Sequence, residues 1–237
     1  KCLLILDNYE HLMEGAGLVS DILVASPRVQ ILVTSRQPLK QTGETLFHLS
    51  GMDFPDWEMT ADAMNYAAVK LFVNSAKRTM SDFELDSRNL SDVARICHMV
   101  QGMPLGIVLA VSWLGILTTS EIVQEMQQGI SFLETEETNL PERQRSIRAV
   151  MNYTWQTMSE IEQQVFMQAS VFLGGFTRDA VQSVTGASLR NLMTLANKSV
   201  LRRNADSGRY SIHEMLRQYA AEHLQHNGNE TTAHERH

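Results

Sequence analysis

The pattern of apolar and polar positions changes character twice along this chain. In the first fifty residues the apolar runs are short and continuous. Residues 3–6 and Val29–Val33 are runs of the kind found in strands covered on both faces. Between them Leu12, Ala16, Val19, Ile22 and Leu23 recur at helical spacing until Pro27 breaks the repeat. Strand, crossover helix and strand in a short span predict a parallel βαβ unit. Residues 45–49 read as a third strand.

From residue 61 to 117 the spacing becomes helical, first through Ala63, Ala67, Val69, Leu71, Phe72 and Ala76. A second helix follows through Leu90, Val93, Ala94, Cys97 and Val100. Gly102 stops it, and Pro104 suits the first turn of the next helix, where a missing N–H costs nothing. The polar, acidic residues 134–142, which include Pro141, read as a linker.

The last third changes again. Helices are predicted over 146–157 and 160–170, the second opened by the capping box Ser159-x-x-Glu162. Thr177 is a suitable N-cap for 178–185, and Leu189, Leu192, Met193 and Ala196 trace another helix. Two strands, 200–204 and 210–212, flank a turn at Asp206-Ser207-Gly208, and a final helix runs over 213–224. Helices followed by a two-stranded ribbon are the grammar of a winged helix. The tail from Asn227 is polar and expected to be disordered.

Composition narrows the function classes. The 237 residues are 43% hydrophobic and 20% charged, as in an ordinary globular protein. The net charge of -7 argues against a nucleic-acid binder that uses its whole surface. Cys2 and Cys97 both lie in apolar runs, which predicts reduced core thiols and a cytoplasmic protein. The longest apolar run, 105–117, is too short to span a bilayer, so no membrane partner is expected. The chain opens inside a strand with no initiator Met, which predicts a fragment.

Candidate chemistry is sparse. An apolar run ending in Asp7 looks like a Walker B strand, whose carboxylate faces magnesium; the alternative is an Asp that caps the following helix. The Gly-rich loop G-x-x-x-x-G-K-[ST] that normally precedes such a strand is absent from these residues. Asn8 replaces a second acid, and an amide takes no proton from water, which leaves Glu10 as the weak catalytic candidate or as a residue that caps or solvates the helix start. Arg36, after Thr34-Ser35, could report on a terminal phosphate or be a surface residue at a strand end. Pro104 could present a flat apolar face to adenine, and His213 could donate to a phosphate at a helix N-terminus. Each also has a plain structural reading, as a helix start and a surface histidine. Arg190, Lys198, Arg202, Arg203 and Arg209 could contact DNA phosphates, but Glu160, Glu162, Asp179, Asp206 and Glu214 dilute them into a mixed face.

The order of these landmarks is more specific than any one of them. Residues 3–12, Ile31-Leu-Val-Thr34-Ser35-Arg36, Gly102-Met-Pro104-Leu and Tyr210-Ser-Ile-His213-Glu-Met-Leu-Arg217 resemble the STAND class of signalling nucleotidases. These are P-loop NTPases related to NB-ARC proteins, and the likeness is to the bacterial LuxR and SARP regulator branch. The resemblance runs from Lys1 to about Leu224 and implies an α/β plus α chain in three parts. A partial parallel-sheet P-loop NTPase core is expected over 1–52, a helical lid over 53–140 and a winged-helix domain over 141–226. The tail 227–237 would lead to helical repeats.

The resemblance also implies roles. Asp7 would hold magnesium through water, Arg36 would sense the terminal phosphate, Pro104 would pack on adenine and His213 would meet the β-phosphate of ADP. The family's Met-His-Asp motif stands here as Ile212-His213-Glu214. The implied cofactors are ADP or ATP with magnesium, bound tightly only with a P-loop segment present, and turnover would be slow or absent. The implied partners are nucleotide and, in the whole protein, further copies on activation. Direct DNA contact by these residues is not expected, and a DNA-binding winged-helix transcription module is the alternative.

Overall fold

A computed structural model describes residues 1–56, 62–135, 145–204 and 207–227. Strands β1 (Cys2–Leu6) and β2 (Val29–Val33) form a parallel pair in the register Cys2↔Val29 to Leu6↔Val33. The crossover is a 3-10 turn at Tyr9–Gly15 followed by helix α1 (Gly17–Ala25), where the spacing predicts one helix from residue 12. The left-handed Asn8 and the non-helical Leu12 divide it.

One face of this sheet is closed by Tyr9, Ala16, Val19 and Leu39, packed with Leu6, Ile31 and Val33. The other face is open, with Leu3 57%, Ile5 61% and Leu32 54% exposed. The expectation of strands covered on both faces is corrected: α1 supplies one layer, and no described element supplies the second. Cys2 shares the covered face with Leu4 and Leu6 but is exposed at the start of its strand, whereas Cys97 is a buried thiol as expected, its pKa pushed up to about 12 by burial. The third strand expected at 45–49 is also absent; the segment makes no ladder and Phe47 is 86% exposed. A strand needs an edge in register. Here the chain is drawn away instead, because the Met52 amide donates to the Gly102 carbonyl at 2.9 Å.

Helices α2 (Ala67–Thr79), α3 (Leu90–Met99), α4 (Pro104–Ser112) and α5 (Thr119–Gln128) follow, with α2 packed on α4 and α3 on α5. Phe72, Ile96, Ile107 and Ile122 are fully buried among them. The turn between α3 and α4 carries two left-handed residues, Gln101 and Gly102, and the Gly102 amide reaches back to the Cys97 carbonyl at 2.9 Å. Pro104 opens α4 as expected.

Beyond residue 145 come α6 (Ile147–Gln156), α7 (Glu160–Ala169), α8 (Arg178–Thr185), α9 (Leu189–Asn197), the antiparallel ribbon β3 (Leu201–Arg203) with β4 (Tyr210–Ile212), and α10 (Glu214–His226). The Ser159–Glu162 capping box and the Thr177 cap both form. α7 packs on α8, α9 and α10. Continuous apolar contacts join this group to the α2–α5 helices, from Ala63 through Leu133 and Ile147 to Ala220. Residues 136–142 of the expected linker, with 143–144, and the tail from 228 lie outside the described residues. No described helix is long and apolar enough to cross a membrane.

Candidate functional site

The C-terminal ends of β1 and β2 place Asp7 and Thr34 side by side. The Thr34 hydroxyl donates to the Asp7 carboxylate and accepts from the Asn8 amide at 3.0 Å, and the Tyr9 amide donates to the Thr34 carbonyl at 3.0 Å. Asp7 remains exposed. The turn that follows has Asn8 at its N-cap with no side-chain cap bond, so the helix-capping role considered for Asp7 is replaced by acceptance from Thr34 across the sheet edge. Among the described residues no three His, Cys, Asp or Glu side chains converge as a metal site. Magnesium at Asp7 would complete its shell with water and phosphate oxygens, which suits that ion's chemistry.

Arg36 does not point into open solvent. Its Nε lies 3.6 Å from the Glu10 carboxylate, its Nη1 donates to the Thr154 hydroxyl at 3.2 Å, and its guanidinium stands 5.1 Å from the Tyr153 ring centre. The Arg36 carbonyl accepts from the Ser199 hydroxyl at 3.1 Å. Tyr153 also meets His11, edge to face at 5.7 Å, with its hydroxyl 3.2 Å from His11 Nδ1. The sheet edge is thus fastened to α6 and to the end of α9. Glu10, Arg36, Gln37, Tyr153, Thr154, Thr157 and Lys198 enclose a cavity of about 60 Å³ at this joint. Glu10 is held among these groups, so its carboxylate serves the arginine rather than an open water site.

His213 lies at a second place, beside the turn between α3 and α4. His213 caps α10, its Nδ1 accepting from the Met215 amide at 3.3 Å. The neutral ring then carries its proton on Nε2, and the imidazole is hydrogen-bonded to the backbone of Val100, at the turn that leads to Pro104. Pro104 itself is exposed at the start of α4. Arg202 lies close enough to His213 to act on its charge and donates to the Ser50 hydroxyl at 2.6 Å. No described hydrogen bond joins this group directly to Asp7 or Arg36.

Burial lowers the pKa of His213, with Arg202 acting the same way against the Val100 bond and Glu214. His223, stacked on Trp155 at 4.3 Å, is lowered too, by burial and then by Arg148. The fold disfavours the charged form of both imidazoles, so protons bind the unfolded chain first as the pH falls. Stability is expected to be level above the ordinary histidine value of 6.5 and to fall as the pH drops below it. Denaturant melts between pH 7.5 and 5, the range spanning an unperturbed histidine, check this; a flat profile would show that neither ring is shielded.

The basic residues considered for DNA are largely engaged. Lys198 follows α9 and donates to the Glu162 carboxylate at 2.7 Å and to the Thr157 carbonyl at 2.6 Å. Arg209 donates to the Gly175 carbonyl. Tyr153, Thr154, Ser199 and Ser50 are contact residues that the sequence reading missed. The first two sit in a helix with no local motif, and their only signal is polarity beside the apolar stripe of Ile147 and Met151.

No family model matches the chain. Proteins of Mycobacterium bovis and Mycobacterium tuberculosis that carry the provisional name HTH-type transcriptional regulator are 31% identical over 247 aligned positions, covering 100% of this chain and 27% of theirs. An uncharacterised Mycobacterium bovis protein is 29% identical over 96% of this chain and 58% of its own length. The chain thus spans about a quarter of the named relatives. A solved STAND protein with a tetratricopeptide repeat sensor from Pyrococcus horikoshii aligns over 99% of this chain and 29% of its own, at 15% identity and a TM-score of 0.35.

Proposed function

We propose that this chain is the switch portion of a nucleotide-dependent regulator of the STAND type, acting in a longer protein of the bacterial transcription-regulator kind. Residues 1–52 contribute the Walker B and sensor edge of a nucleotidase core, 53–140 its helical lid, 141–226 a winged helix, and 227–237 a passage to helical repeats. The observation that carries the reading is that Asp7, beside Thr34, and Arg36, beside Glu10, both follow the carboxyl ends of one parallel pair, where open α/β sheets bind their ligands. The ordered landmarks and the provisional name of the mycobacterial relatives support the same class. The open apolar face at Leu3, Ile5 and Leu32 suits a further layer of a larger parallel core.

Bound magnesium–nucleotide would supply concentrated phosphate charge at this edge. Asp7 would hold the ion through water, Arg36 would pair with terminal phosphate oxygens, and Pro104 would pack on the base. His213 has one donor and gives it to the Val100 backbone, so a phosphate would have to replace that acceptor. Asn8 and the engaged Glu10 leave no free base in the usual position, which fits a switch that turns over slowly or not at all. Exchange of ADP for ATP would shift the docking of the C-terminal helices and release the protein to self-associate.

The test is calorimetric titration of ADP and ATP, with magnesium, into a longer natural polypeptide containing these residues. His213→Ala is expected to weaken ADP, and Arg36→Ala to weaken ATP more than ADP, each by about tenfold, the worth of one hydrogen bond to a charged group. If both variants bind both nucleotides as the parent does, the assigned site is wrong. The alternative, a DNA-binding winged-helix module, would show salt-dependent binding of duplex DNA; no binding at low salt eliminates it. The engagement of Lys198 and Arg209 with protein groups weighs against it.

A further inference from the structure

The side chain assigned to the terminal phosphate already has three partners. Arg36 has a hydroxyl acceptor in Thr154, an aromatic face in Tyr153 and a carboxylate in Glu10. Two of these three lie on α6, more than a hundred positions along the chain, and α6 belongs to the helical group that also carries His213. Tyr153 in addition closes on His11, one position after Glu10, so a single side chain fastens both sides of the sheet edge. A phosphate held bidentately takes two donors along one edge of the guanidinium; with Nε facing Glu10 and Nη1 donating to Thr154, a phosphate that takes the Nη1 edge competes with α6.

We propose that Tyr153 and Thr154 are a lock on Arg36: α6 and the terminal phosphate of a nucleoside triphosphate compete for one guanidinium. The inference rests on the nucleotide reading above and deepens it by naming the contact through which a triphosphate would loosen the C-terminal helices. A diphosphate does not reach for Arg36 and leaves the lock closed. Binding of triphosphate therefore opposes docking of α6, and docking of α6 opposes triphosphate to the same degree. Glu10 stays with Arg36 in either state, since both belong to the sheet unit.

The experiment titrates ATP and ADP, with magnesium, into the longer natural polypeptide carrying Tyr153→Leu, Thr154→Val or both, and follows hydrogen exchange of α6 in the same samples. The double variant is expected to bind ATP about five- to tenfold more tightly, the combined worth of one exposed cation–π contact and one hydrogen bond. ADP affinity should change by less than about twofold, because the released contacts are those of Arg36 alone. In the parent, ATP but not ADP should speed exchange across 147–156, and Arg36→Gln should speed it without any nucleotide. Equal gains for ATP and ADP would mean general loosening and would overturn the lock, as would unchanged affinities in variants that still bind. Absence of nucleotide binding by the parent and all variants would overturn the nucleotide reading and the lock together.

Discussion

Gly102→Ala is expected to lower stability by about 3 kcal/mol or more, which places it among the severe single substitutions. Gly102 has φ +66°, and a methyl group there would meet the Met52 carbonyl oxygen at 2.0 Å. The obstacle is backbone, which does not rotate away as a side chain would. Met52 is itself tied to this turn, its amide donating to the Gly102 carbonyl at 2.9 Å. Relief of the clash would therefore separate residues 50–52 from the α3–α4 turn and disturb the Val100 backbone to which His213 is bonded. Gly186→Ala is the matched control. It has nearly the same φ, +69°, with nothing within 4 Å of the added carbon, so only the left-handed strain of about 1–2 kcal/mol applies. In thermal melts Gly102→Ala should fall by about 6–12 °C, at the 2–4 °C per kcal/mol usual for this size. Equal losses in the two variants would show that the Met52 carbonyl does not press on Gly102.

Lys198→Met is expected to cost about 2–4 kcal/mol, because it strands a carboxylate that the fold has nearly removed from water. The Lys198 and Glu162 side chains are 16% and 10% exposed, and the ammonium also satisfies the Thr157 carbonyl at 2.6 Å. Burial pushes the Glu162 carboxyl up, yet the Lys198 ammonium and the Ser159 amide more than offset it and hold the pKa below the ordinary value. The stability this contributes is present above pH 4.5 and is lost as the pH falls through the lowered value. Removing the ammonium should reverse the direction of the shift, so that Lys198→Met begins to regain relative stability on mild acidification. Adding Glu162→Gln, which keeps an oxygen for the Ser159 amide, should recover about half of the loss. Full additivity of the two substitutions in denaturant melts would show that the pair is not coupled.

Much of the architecture was legible because it depends on near neighbours. The capping box at Ser159 and Glu162, the Thr177 cap, the stop at Gly102 and the start at Pro104 are each set within a few residues. The parallel pairing of β1 and β2 followed from two continuous apolar runs separated by one amphipathic helix. The misread elements all depend on something distant. Residues 45–49 have strand character but pair with neither free edge of the β1–β2 sheet, and Leu3 and Ile5 sit on a face that no described element covers.

The candidate site divides in the same way. Asp7, Arg36, Pro104 and His213 could be singled out along the chain, because each stands at an element end where backbone groups and charge converge. Their partners could not. Tyr153 and Thr154 are unremarked polar positions on a helix, and only the packing of α6 against the sheet edge brings them to Arg36. Val100 reads as a buried helix residue, yet its backbone bonds with His213 across more than a hundred positions. Sequence by itself determined the elements, their ends and the candidate chemical groups, since those follow from periodicity, capping and residue type. Only the tertiary structure decided which of those groups are already engaged, because a hydrogen bond or cation–π contact depends on a few ångströms of approach that no local pattern encodes.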